Sequence, residues 1–475
     1  MQALAQGDPS WISVLPPALA IALAIGTRQV YLSLAAGIWL GWTLLKGGDP
    51  LAGLAAAIDE TIAVLGSASS AKVIVFTLVI GALIATLARA GGVAGFVHYL
   101  ESRRWVTTPR RARILAWATG VLIFIESNIT VLVAGSVSRP LFDRLRISRE
   151  KLAYLIDSTS AAVCILIPLN AWGAYNLALL EELKVERALE VFVYAIPLNA
   201  YAIAAIAVAA VVAWRGTAIG PMRAAERRAQ TGQKLADAAQ PMVDEEILSP
   251  EPFSRAEPRA RDMVIPVAVM VAMMPLGLHI TGDGDVRAGS GATSVLWAVL
   301  AALAAAWVLI LSRRGASIDA LTRTGLKGAG GLLPLAAILL LALSLGGVTR
   351  ELGTGVYVAG LLDDALPAGL LLPLAFLVSA VIAFSTGTSW GTFAIMLPIV
   401  VPGAAAMELP LAPFVAAALS GGIFGDHASP ISDTTIISSM AAATDHIDHV
   451  RTQLPYALIA AALATACFAL IGVSL

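Results

Sequence analysis

The sequence predicts an all-α polytopic membrane protein with two inverted-topology repeats, each containing a re-entrant hairpin and a broken transmembrane helix. Of the 475 residues, 58% are hydrophobic and 13% are charged, and the mean hydropathy is +0.82. Soluble domains carry about 25% charged residues, so this composition excludes a water-soluble enzyme and a disordered chain. A net charge of −1 leaves no basic excess for nucleic-acid binding. The two cysteines lie in apolar runs, which excludes a disulfide framework.

Repeated apolar runs supply the predicted membrane spans. A bilayer core of about 30 Å needs about 20 apolar residues in a helix. Residues 1–10 contain no Lys or Arg, so we expect no cleaved secretory signal before the first span. The predicted spans are 11–26, 29–46, 72–90, 152–179, 188–214, 262–281, 293–312, 328–348, 410–425 together with 431–444, and 453–474.

One long polar segment divides the chain. Residues 215–261 are too polar for the bilayer and contain few apolar residues with which to build a core. We therefore predict a cytoplasmic polar linker, a loop or tether, between a first membrane repeat at 1–214 and a second membrane repeat at 262–475.

The apolar stretch 112–138 lies between two basic loops, at 101–113 and 139–151. Loops rich in Lys and Arg are usually cytoplasmic. Both loops reach the cytoplasm if 112–138 enters the membrane and returns, so we predict a re-entrant hairpin with residues 126–128 at its tip. The alternative is an ordinary helix that leaves one basic loop outside.

The second half has the opposite charge pattern. No Lys or Arg occurs between residues 351 and 450, and acidic residues flank the apolar stretch 368–403. This pattern predicts a second re-entrant hairpin that enters from outside, with residues 386–389 at its tip. Two oppositely oriented hairpins form inverted-topology repeats, which in secondary transporters place the binding site near the midplane between the repeats.

Four carboxylates lie in polar breaks of these apolar stretches and are candidates for binding a cation or a proton: Glu126, Asp157, Asp426 and Asp433. Irregular polar backbone at membrane depth is tolerated only where it lines a cavity or is buried in protein. Burial favours the protonated carboxyl, whereas a bound cation favours the carboxylate. A buried Asp can therefore exchange a proton for Na⁺, and Asp157 and Asp433 are the predicted Na⁺ ligands.

Neutral polar groups beside these carboxylates are the candidate substrate contacts. Hydroxyls and freed carbonyls suit a hard cation, whereas free N–H groups at helix N-termini suit an anion. No resident cofactor is expected. The predicted contacts are Ser127, Asn128, Ser158, Thr159, Asn170, Thr386, Gly387, Thr388, Ser389, Ser429 and Ser432.

The main candidates also have structural interpretations. Asp157 follows a basic loop and can be a solvated cap at the cytoplasmic end of a helix. Asp426 and Asp433 can be helix caps around Pro430. His427 can carry protons or can simply hydrogen-bond to the backbone.

Four further features have a structural interpretation of the same kind. Glu126 can pair with an arginine, and the small residues at 385–389 can serve helix packing. The run 445–449 looks like a metal-binding cluster, but we expect it to be a solvated helix face. Trp172 and Trp390 are expected to pack in the core rather than to contact substrate.

Long matching segments in both halves carry a family resemblance. They are residues 135–140 (GSVSRP), 147–159 (ISREKLAYLIDST) and 425–435 (GDHASPISDTT). These segments resemble the NhaC-type sodium/proton antiporter family, within the broader ion transporter superfamily. The resemblance implies a helical transporter with paired hairpins that works by alternating access, and it implies a homodimer.

The chain departs from the resembled family at the first hairpin tip. Many members have a paired Asp-Asp with an Asn three positions beyond, where this chain has Glu126-Ser127 and Thr130. One acidic group is kept in altered form and one is lost, which implies fewer transported charges or a different substrate. The resembled family also contains exchangers of organic acids.

The predicted function is secondary transport in the cytoplasmic (inner) membrane by Na⁺/H⁺ antiport. The alternative is Na⁺- or H⁺-coupled transport of a small organic substrate, an amino acid or an organic acid. The predicted partners are Na⁺, H⁺ and the lipid bilayer, without nucleic acid. An enzyme is disfavoured because the sequence has no HExxH pair, no CxxC spacing and no GxxxxGK[ST] loop for ATP. A channel is the remaining rival.

Overall fold

Helices are the main secondary structure of the residues that the structure, a computed structural model, describes. These are residues 10–27, 29–92, 95, 106–124, 127–168, 170–237, 239–241, 253, 259–285, 289–313, 315–354, 357 and 368–475. Among them, eleven α-helices precede the polar linker: α1 Leu15–Thr27, α2 Val30–Leu45, α3 Pro50–Val64, α4 Ala68–Arg89, α5 Pro109–Leu122, α6 Ser127–Arg144, α7 Arg149–Asp157, α8 Ala161–Leu166, α9 Ala171–Glu182, α10 Ala188–Ala195 and α11 Ala200–Arg215.

The linker and the second half supply the other helices of the described chain. The linker contributes α12, Met222–Gln230. The helices that follow it are α13 Arg261–Thr281, α14 Gly291–Ser312, α15 Ile318–Gly331, α16 Leu333–Glu351, α17 Ala368–Thr386, α18 Ser389–Ala406, α19 Leu411–Ala428, α20 Asp433–Ala442 and α21 His446–Val473.

Length and composition make this a multi-pass membrane protein. Seven helical segments of the described chain are long and apolar enough to cross a bilayer. The pair α15 and α16 meets at a bend of 43° and together would form an eighth span. These helices confirm the predicted all-α polytopic class.

Two parts of the first half differ from the predicted spans. The stretch predicted as one span at 152–179 consists of three helices, α7, α8 and α9, separated by irregular backbone. The helix α3 has no counterpart among the predicted spans. Its N-terminus has the residues that usually begin a helix. Pro50 occupies the first turn, and the Asp49 side chain accepts from the backbone N–H of Leu51 at 2.9 Å.

The first predicted hairpin is a helical hairpin formed by α5 and α6, which pack against each other. The Arg144 guanidinium at the end of α6 donates to the backbone oxygen of Val106, before α5, at 3.1 Å. At about 1.5 Å per residue the two helices are about 21 and 27 Å long, so their outer ends can meet only if the chain turns back. The fold-back spans 109–144, wider than the predicted 112–138.

The second predicted hairpin is formed by α17 and α18. Leu371 near its start and Ala404 near its end line the same apolar cavity of 240 Å³, so this chain segment also turns back. The turn depends on Gly387, which has a φ of +68°. A Cβ there would lie 2.6 Å from the backbone oxygen of Ile431, so the hairpin tip touches the break between α19 and α20.

Each half therefore has a helical hairpin followed by a helix that breaks at a carboxylate. α7 ends at Asp157, and the chain continues through 158–160 into α8. α19 carries Asp426 in its last turn, and α20 begins at Asp433. The inverted symmetry of the two halves and the depth of the hairpins in the bilayer stay predictions.

Glycines let the second hairpin approach the broken helix closely. Along α19, a Cβ on Gly421 would lie 2.2 Å from the backbone oxygen of Phe376, and a Cβ on Gly425 would lie 2.3 Å from that of Ala380. Real Cβ atoms do not come this close to a backbone oxygen, so α17 and α19 would have to separate to admit any side chain. This packing holds the last turn of α19, with Asp426, beside the hairpin.

We expect Gly425→Ala to destabilise the protein by about 1–3 kcal/mol, because the added methyl group overpacks a backbone contact. Gly403→Ala is the matched control, since nothing lies within 4 Å of a Cβ placed there. Thermal unfolding in detergent measures both variants. Equal melting temperatures would show that the close approach of α17 and α19 contributes nothing to stability.

The polar linker differs from the predicted loop or tether, because its described part docks on the first half. α12 buries Met222, Ala225 and Ala229. Glu226 accepts from the Ser148 hydroxyl at 2.6 Å and lies 3.1 Å from the ammonium of Lys151, which is fully buried. An amphipathic helix of nine residues supplies enough apolar surface for docking, although the segment as a whole is polar.

We expect Glu226→Gln to destabilise the protein by about 3 kcal/mol, because it leaves the buried Lys151 charge without its counter-ion. Glu186→Gln, at an exposed position, is the matched control. Thermal unfolding at neutral pH and low salt is the measurement. If both variants have the same melting temperature, the buried ion pair does not hold the linker in place.

Candidate functional site

Three carboxylates meet where the broken helices and the second hairpin come together. Asp157 and Asp426 are 3% and 2% exposed. Each of them interacts electrostatically with Asp433, and Asp426 also interacts with Asp157. The structure therefore brings acidic groups from both halves into one cluster. Glu126, the fourth predicted carboxylate, lies outside the described residues.

Asp426 is held by two hydroxyls from different elements. The Ser389 hydroxyl, at the start of α18, donates to Asp426 Oδ2 at 2.8 Å. The Ser432 hydroxyl, just before α20, donates to Asp426 Oδ1 at 2.6 Å and lies 3.0 Å from the hydroxyl of Thr434. Both carboxylate oxygens thus sit among neutral oxygens, between the hairpin tip and the helix break.

Asp433 is the solvent-accessible member of the cluster. The residue is exposed, although its neighbours Ser432, Thr434 and Thr435 are buried. One of its oxygens accepts from the backbone N–H of Thr434 at 2.9 Å. Asp433 also lies in the first turn of α20, where the helix dipole favours a negative charge.

Asp157 is buried rather than the solvated cap of the alternative interpretation. Its Oδ2 accepts from the Gln453 amide at 2.8 Å, and His449 Nε2 lies 3.8 Å from the same oxygen. The hydroxyls of Thr435 and Ser438 face this carboxylate. Neither hydroxyl makes a hydrogen bond of normal geometry within the described residues.

His427 joins the two buried carboxylate sites. Its Nε2 lies 3.2 Å from the hydroxyl of Ser158 and its Nδ1 lies 2.6 Å from the hydroxyl of Tyr201. Its backbone oxygen accepts from Gln453 at 2.6 Å. The imidazole thus hydrogen-bonds to two side-chain hydroxyls. The structural interpretation of His427 had expected a hydrogen bond to the backbone.

Several predicted substrate contacts donate their hydrogens to nearby backbone. The Thr159 hydroxyl donates to the Leu155 carbonyl of the preceding helix, that of Thr386 donates to a carbonyl of its own helix, and that of Ser429 donates to the Phe384 carbonyl at 2.7 Å. The Thr388 hydroxyl caps the first turn of α18. A hydroxyl that donates its hydrogen still has lone pairs, so each of these oxygens can coordinate a cation.

Asn170 has a structural role at the first hairpin tip. Its amide nitrogen donates to the carbonyls of Phe124 and Cys164 at 2.8 and 2.9 Å, and its oxygen accepts from Gly173 at 3.1 Å. These bonds fix the hairpin tip to the start of α9. Of the predicted tip contacts, Ser127 is buried in the first turn of α6, and Asn128 follows it in that helix.

The aromatic residues near the second hairpin tip pack together, as predicted. Trp172 is fully buried, and its ring centroid lies 4.7 Å from that of Trp390. Tyr175 also contacts Trp390 and donates its hydroxyl hydrogen to the Trp390 carbonyl at 2.9 Å. This cluster connects α9 of the first half with α18 of the second half.

The predicted solvated face at 445–449 is wrong for His449, which is fully buried. His449 therefore belongs to the site, and so does Gln453, which the sequence interpretation did not single out. The spacing of His446, His449 and Gln453 puts them on one face of a helix. That polar stripe within an apolar span is the sequence signal that could have identified them.

Residues 387–391 read GTSWG and match the GxSxG spacing of a hydrolase nucleophile. The structure does not supply the rest of that site. Ser389 donates to Asp426 at 2.8 Å instead of to a histidine, and its segment joins two helices instead of a strand and a helix. The serine therefore belongs to the carboxylate cluster.

The donor set suits a hard cation. Within the described residues, no group of three His, Cys, Asp or Glu side chains could hold a metal ion. The cluster instead offers carboxylate and hydroxyl oxygens, the ligands that hard cations prefer.

Comparisons with known proteins identify the family. The model of the Na⁺/H⁺ antiporter family matches residues 171–473. An uncharacterized protein of Haemophilus influenzae is 33% identical over 97% of this chain and 90% of its own length. The arginine/ornithine antiporter ArcD of Halobacterium salinarum is 27% identical over 49% of this chain and 46% of its own length.

A solved structure supports the fold. The Alcanivorax borkumensis YdaH transporter, at 15% sequence identity, superposes with a TM-score of 0.55 and 89% coverage of both chains. The family match makes this protein a secondary transporter and not an enzyme. The chain belongs to the Na⁺/H⁺ antiporter family, which confirms the resemblance to NhaC-type antiporters.

Proposed function

We propose that the protein exchanges Na⁺ for H⁺ across the cytoplasmic membrane. The observation that supports this proposal is the meeting of Asp157 and Asp426, from helix breaks in different halves, inside a cluster of hydroxyl oxygens. A buried carboxylate is costly to keep charged without a partner. Binding either a proton or a cation removes that cost, so the two ligands compete.

The surroundings of each carboxylate suggest separate roles. Asp426 and Asp433, with the hydroxyls of Ser389 and Ser432, are the proposed Na⁺ contacts, because both hydroxyls hydrogen-bond to Asp426 and Asp433 interacts electrostatically with it. Asp157, which the sequence also suggests as a Na⁺ ligand, faces a histidine and a glutamine amide, so we assign it the proton.

Alternating access completes the proposal. Each half has its own hairpin and broken helix, which is the architecture of transporters whose repeats move against each other around a fixed site. We propose that the two hairpins expose the carboxylate cluster to opposite sides in turn. We also propose an inner-membrane location and a homodimer, which rest on the family resemblance.

Reconstituted liposomes test the function. An inward Na⁺ gradient is expected to drive proton efflux from the lumen, recorded with a trapped pH-sensitive dye, and K⁺ is expected not to replace Na⁺. A channel would pass current at rates far above those of a carrier. Absence of proton movement with Na⁺ or Li⁺, together with absence of ²²Na⁺ self-exchange, would overturn the proposal.

A second candidate function is coupled transport of a small organic substrate, an amino acid or an organic acid. The similarity to an arginine/ornithine antiporter favours it. A panel of amino acids and organic acids can be screened by thermal stabilisation, which grows with the logarithm of ligand concentration over Kd. If one organic ligand stabilises the protein and is then taken up in a Na⁺-dependent manner, coupled transport of that ligand is the function instead of Na⁺/H⁺ exchange.

A further inference from the structure

Two histidines outside the proposed roles lie on one face of α21, beside Asp157. His449 is fully buried, and its Nε2 is 3.8 Å from Asp157 Oδ2. His446 lies one helical turn earlier, is half-buried and is next to the exposed Ile447. The pair therefore extends from the edge of the protein to the buried carboxylate.

A single serine connects the two rings. Ser439 Oγ lies 3.0 Å from His446 Nδ1 and 2.9 Å from His449 Nδ1. The same hydroxyl is 2.8 Å from the backbone oxygen of Thr435. Ser439 is fully buried in α20, so these three groups are its hydrogen-bond partners in the described structure.

The far side of each ring faces an atom that can only accept. His446 Nε2 lies 2.6 Å from the backbone oxygen of Pro430. His449 Nε2 lies 2.8 Å from Gln453 Oε1. The amide nitrogen of Gln453 donates to Asp157 and to the His427 carbonyl, which fixes the orientation of that amide. Both Nε2 atoms must therefore carry a hydrogen.

Proton counting at Ser439 follows from these contacts. A hydroxyl offers one hydrogen and two lone pairs. If both rings are neutral, the two Nδ1 atoms and the Thr435 carbonyl compete for one hydrogen. If both rings are protonated, Ser439 accepts from each Nδ1 and donates to Thr435, so every contact is satisfied. The geometry therefore suits a cluster that takes up and passes on protons.

We propose that His446, Ser439 and His449 form a proton relay between the edge of the protein and Asp157, an inference that rests on the proposed Na⁺/H⁺ exchange. When a proton from solvent makes His446 cationic, its Nδ1 gives that hydrogen to Ser439 Oγ and the ring becomes neutral again, while Ser439 passes its own hydrogen to His449 Nδ1. His449 Nε2 then gives its hydrogen to Asp157 Oδ2. Each N–H or O–H bond broken is matched by one formed, and no electrons are transferred.

Gln453 positions the last step. It holds His449 Nε2 on its oxygen while its nitrogen holds Asp157 Oδ2. The imidazole needs to move by about one ångström to replace the 3.8 Å separation with a hydrogen bond of normal length. Gln453 is thus a positioning residue that keeps donor and acceptor beside each other.

Titratable groups from several elements face the two rings of the relay. His449 faces Asp157 on α7, and the neighbouring titratable ring on α19 is His427. His446 faces Asp445, just before its own helix. Although burial raises the pKa of Asp445, hydrogen bonds from the backbone N–H groups of Gln240, Asp448 and Ile447 lower it overall, so this carboxylate stays ionised beside His446.

The test compares two fluxes in reconstituted liposomes. ²²Na⁺ self-exchange needs the cation site but no proton delivery, whereas Na⁺/H⁺ exchange needs both. For Ser439→Ala and His446→Gln we expect Na⁺/H⁺ exchange to fall by about 100-fold, the usual contribution of a positioned proton-transfer group, with self-exchange within about twofold of the unmodified protein. Added imidazole is expected to restore proton exchange in His446→Ala.

His279→Gln and Ser312→Ala are the matched controls, because both residues lie on other helices and Ser312 is exposed. Unchanged Na⁺/H⁺ exchange in Ser439→Ala would overturn the relay while leaving the proposed function intact. Equal loss of both fluxes would show that Ser439 supports folding or cation binding instead. If the unmodified protein performs neither flux, the proposed function itself fails.

Discussion

Asp426→Asn is expected to abolish both Na⁺/H⁺ exchange and ²²Na⁺ self-exchange, because it removes the charge at the centre of the proposed cation site. Ser389 and Ser432 donate to its two carboxylate oxygens, and the amide of the variant can accept from only one of them. Loss of a full negative charge beside Na⁺ should cost at least about 3 kcal/mol, or about 100-fold in affinity.

The matched control for this variant is Asp319→Asn. Asp319 is on the exposed face of α15, where it pairs with Arg323 at 2.9 Å. An exposed ion pair contributes about 0–1 kcal/mol, so transport should stay within about twofold. Flux measured over a range of Na⁺ concentrations separates a change in affinity from a change in turnover. Unaltered Na⁺ affinity in Asp426→Asn would show that the cation binds elsewhere.

Asp157→Asn is expected to separate the two transported ions. The variant should lose Na⁺/H⁺ exchange by about 100-fold or more, since its buried side chain cannot take up a proton. It should retain ²²Na⁺ self-exchange, because the hydroxyls around Asp426 do not contact residue 157. The Gln453 amide, which donates to the carboxylate, can still donate to the oxygen of the variant.

The pH dependence of this variant gives an independent readout. In the unmodified protein, protonation of Asp157 removes a negative charge that interacts with Asp426, so Na⁺ affinity should fall as the pH falls. In Asp157→Asn that dependence should largely disappear. Na⁺ affinity measured by self-exchange at several pH values tests this. A variant with the same pH dependence as the unmodified protein would exclude Asp157 as the proton carrier.

Much of the fold could be predicted from local sequence. Apolar runs of about 20 residues are a direct consequence of bilayer thickness, and they locate most of the long helices. The turn at Gly387 and the break before Asp433 are marked by glycine, proline and hydroxyl residues, because these residues favour turns and caps. The helix α3 was harder to predict, since its two adjacent acidic residues make it less apolar than a span.

The site could be predicted only in part. Asp157, Asp426 and Ser389 stand out as polar residues in apolar surroundings, and the structure brings them into one cluster. Asn170 has the same sequence signal, yet its amide is fully used in holding the first hairpin tip. The sequence pattern cannot distinguish a polar residue that faces a ligand from one that bonds to nearby backbone.

Local composition by itself determined the membrane class, most of the helical spans and the break between Asp426 and Asp433, because each of these depends on residues that are close together in the chain. Tertiary packing decided that His449 and Gln453 reach Asp157, that α12 docks on Lys151, and that Ser439 lies between two histidines. Those contacts join residues from separate helices, and their geometry follows from the glycine-mediated approach of packed helices and the angles at their breaks.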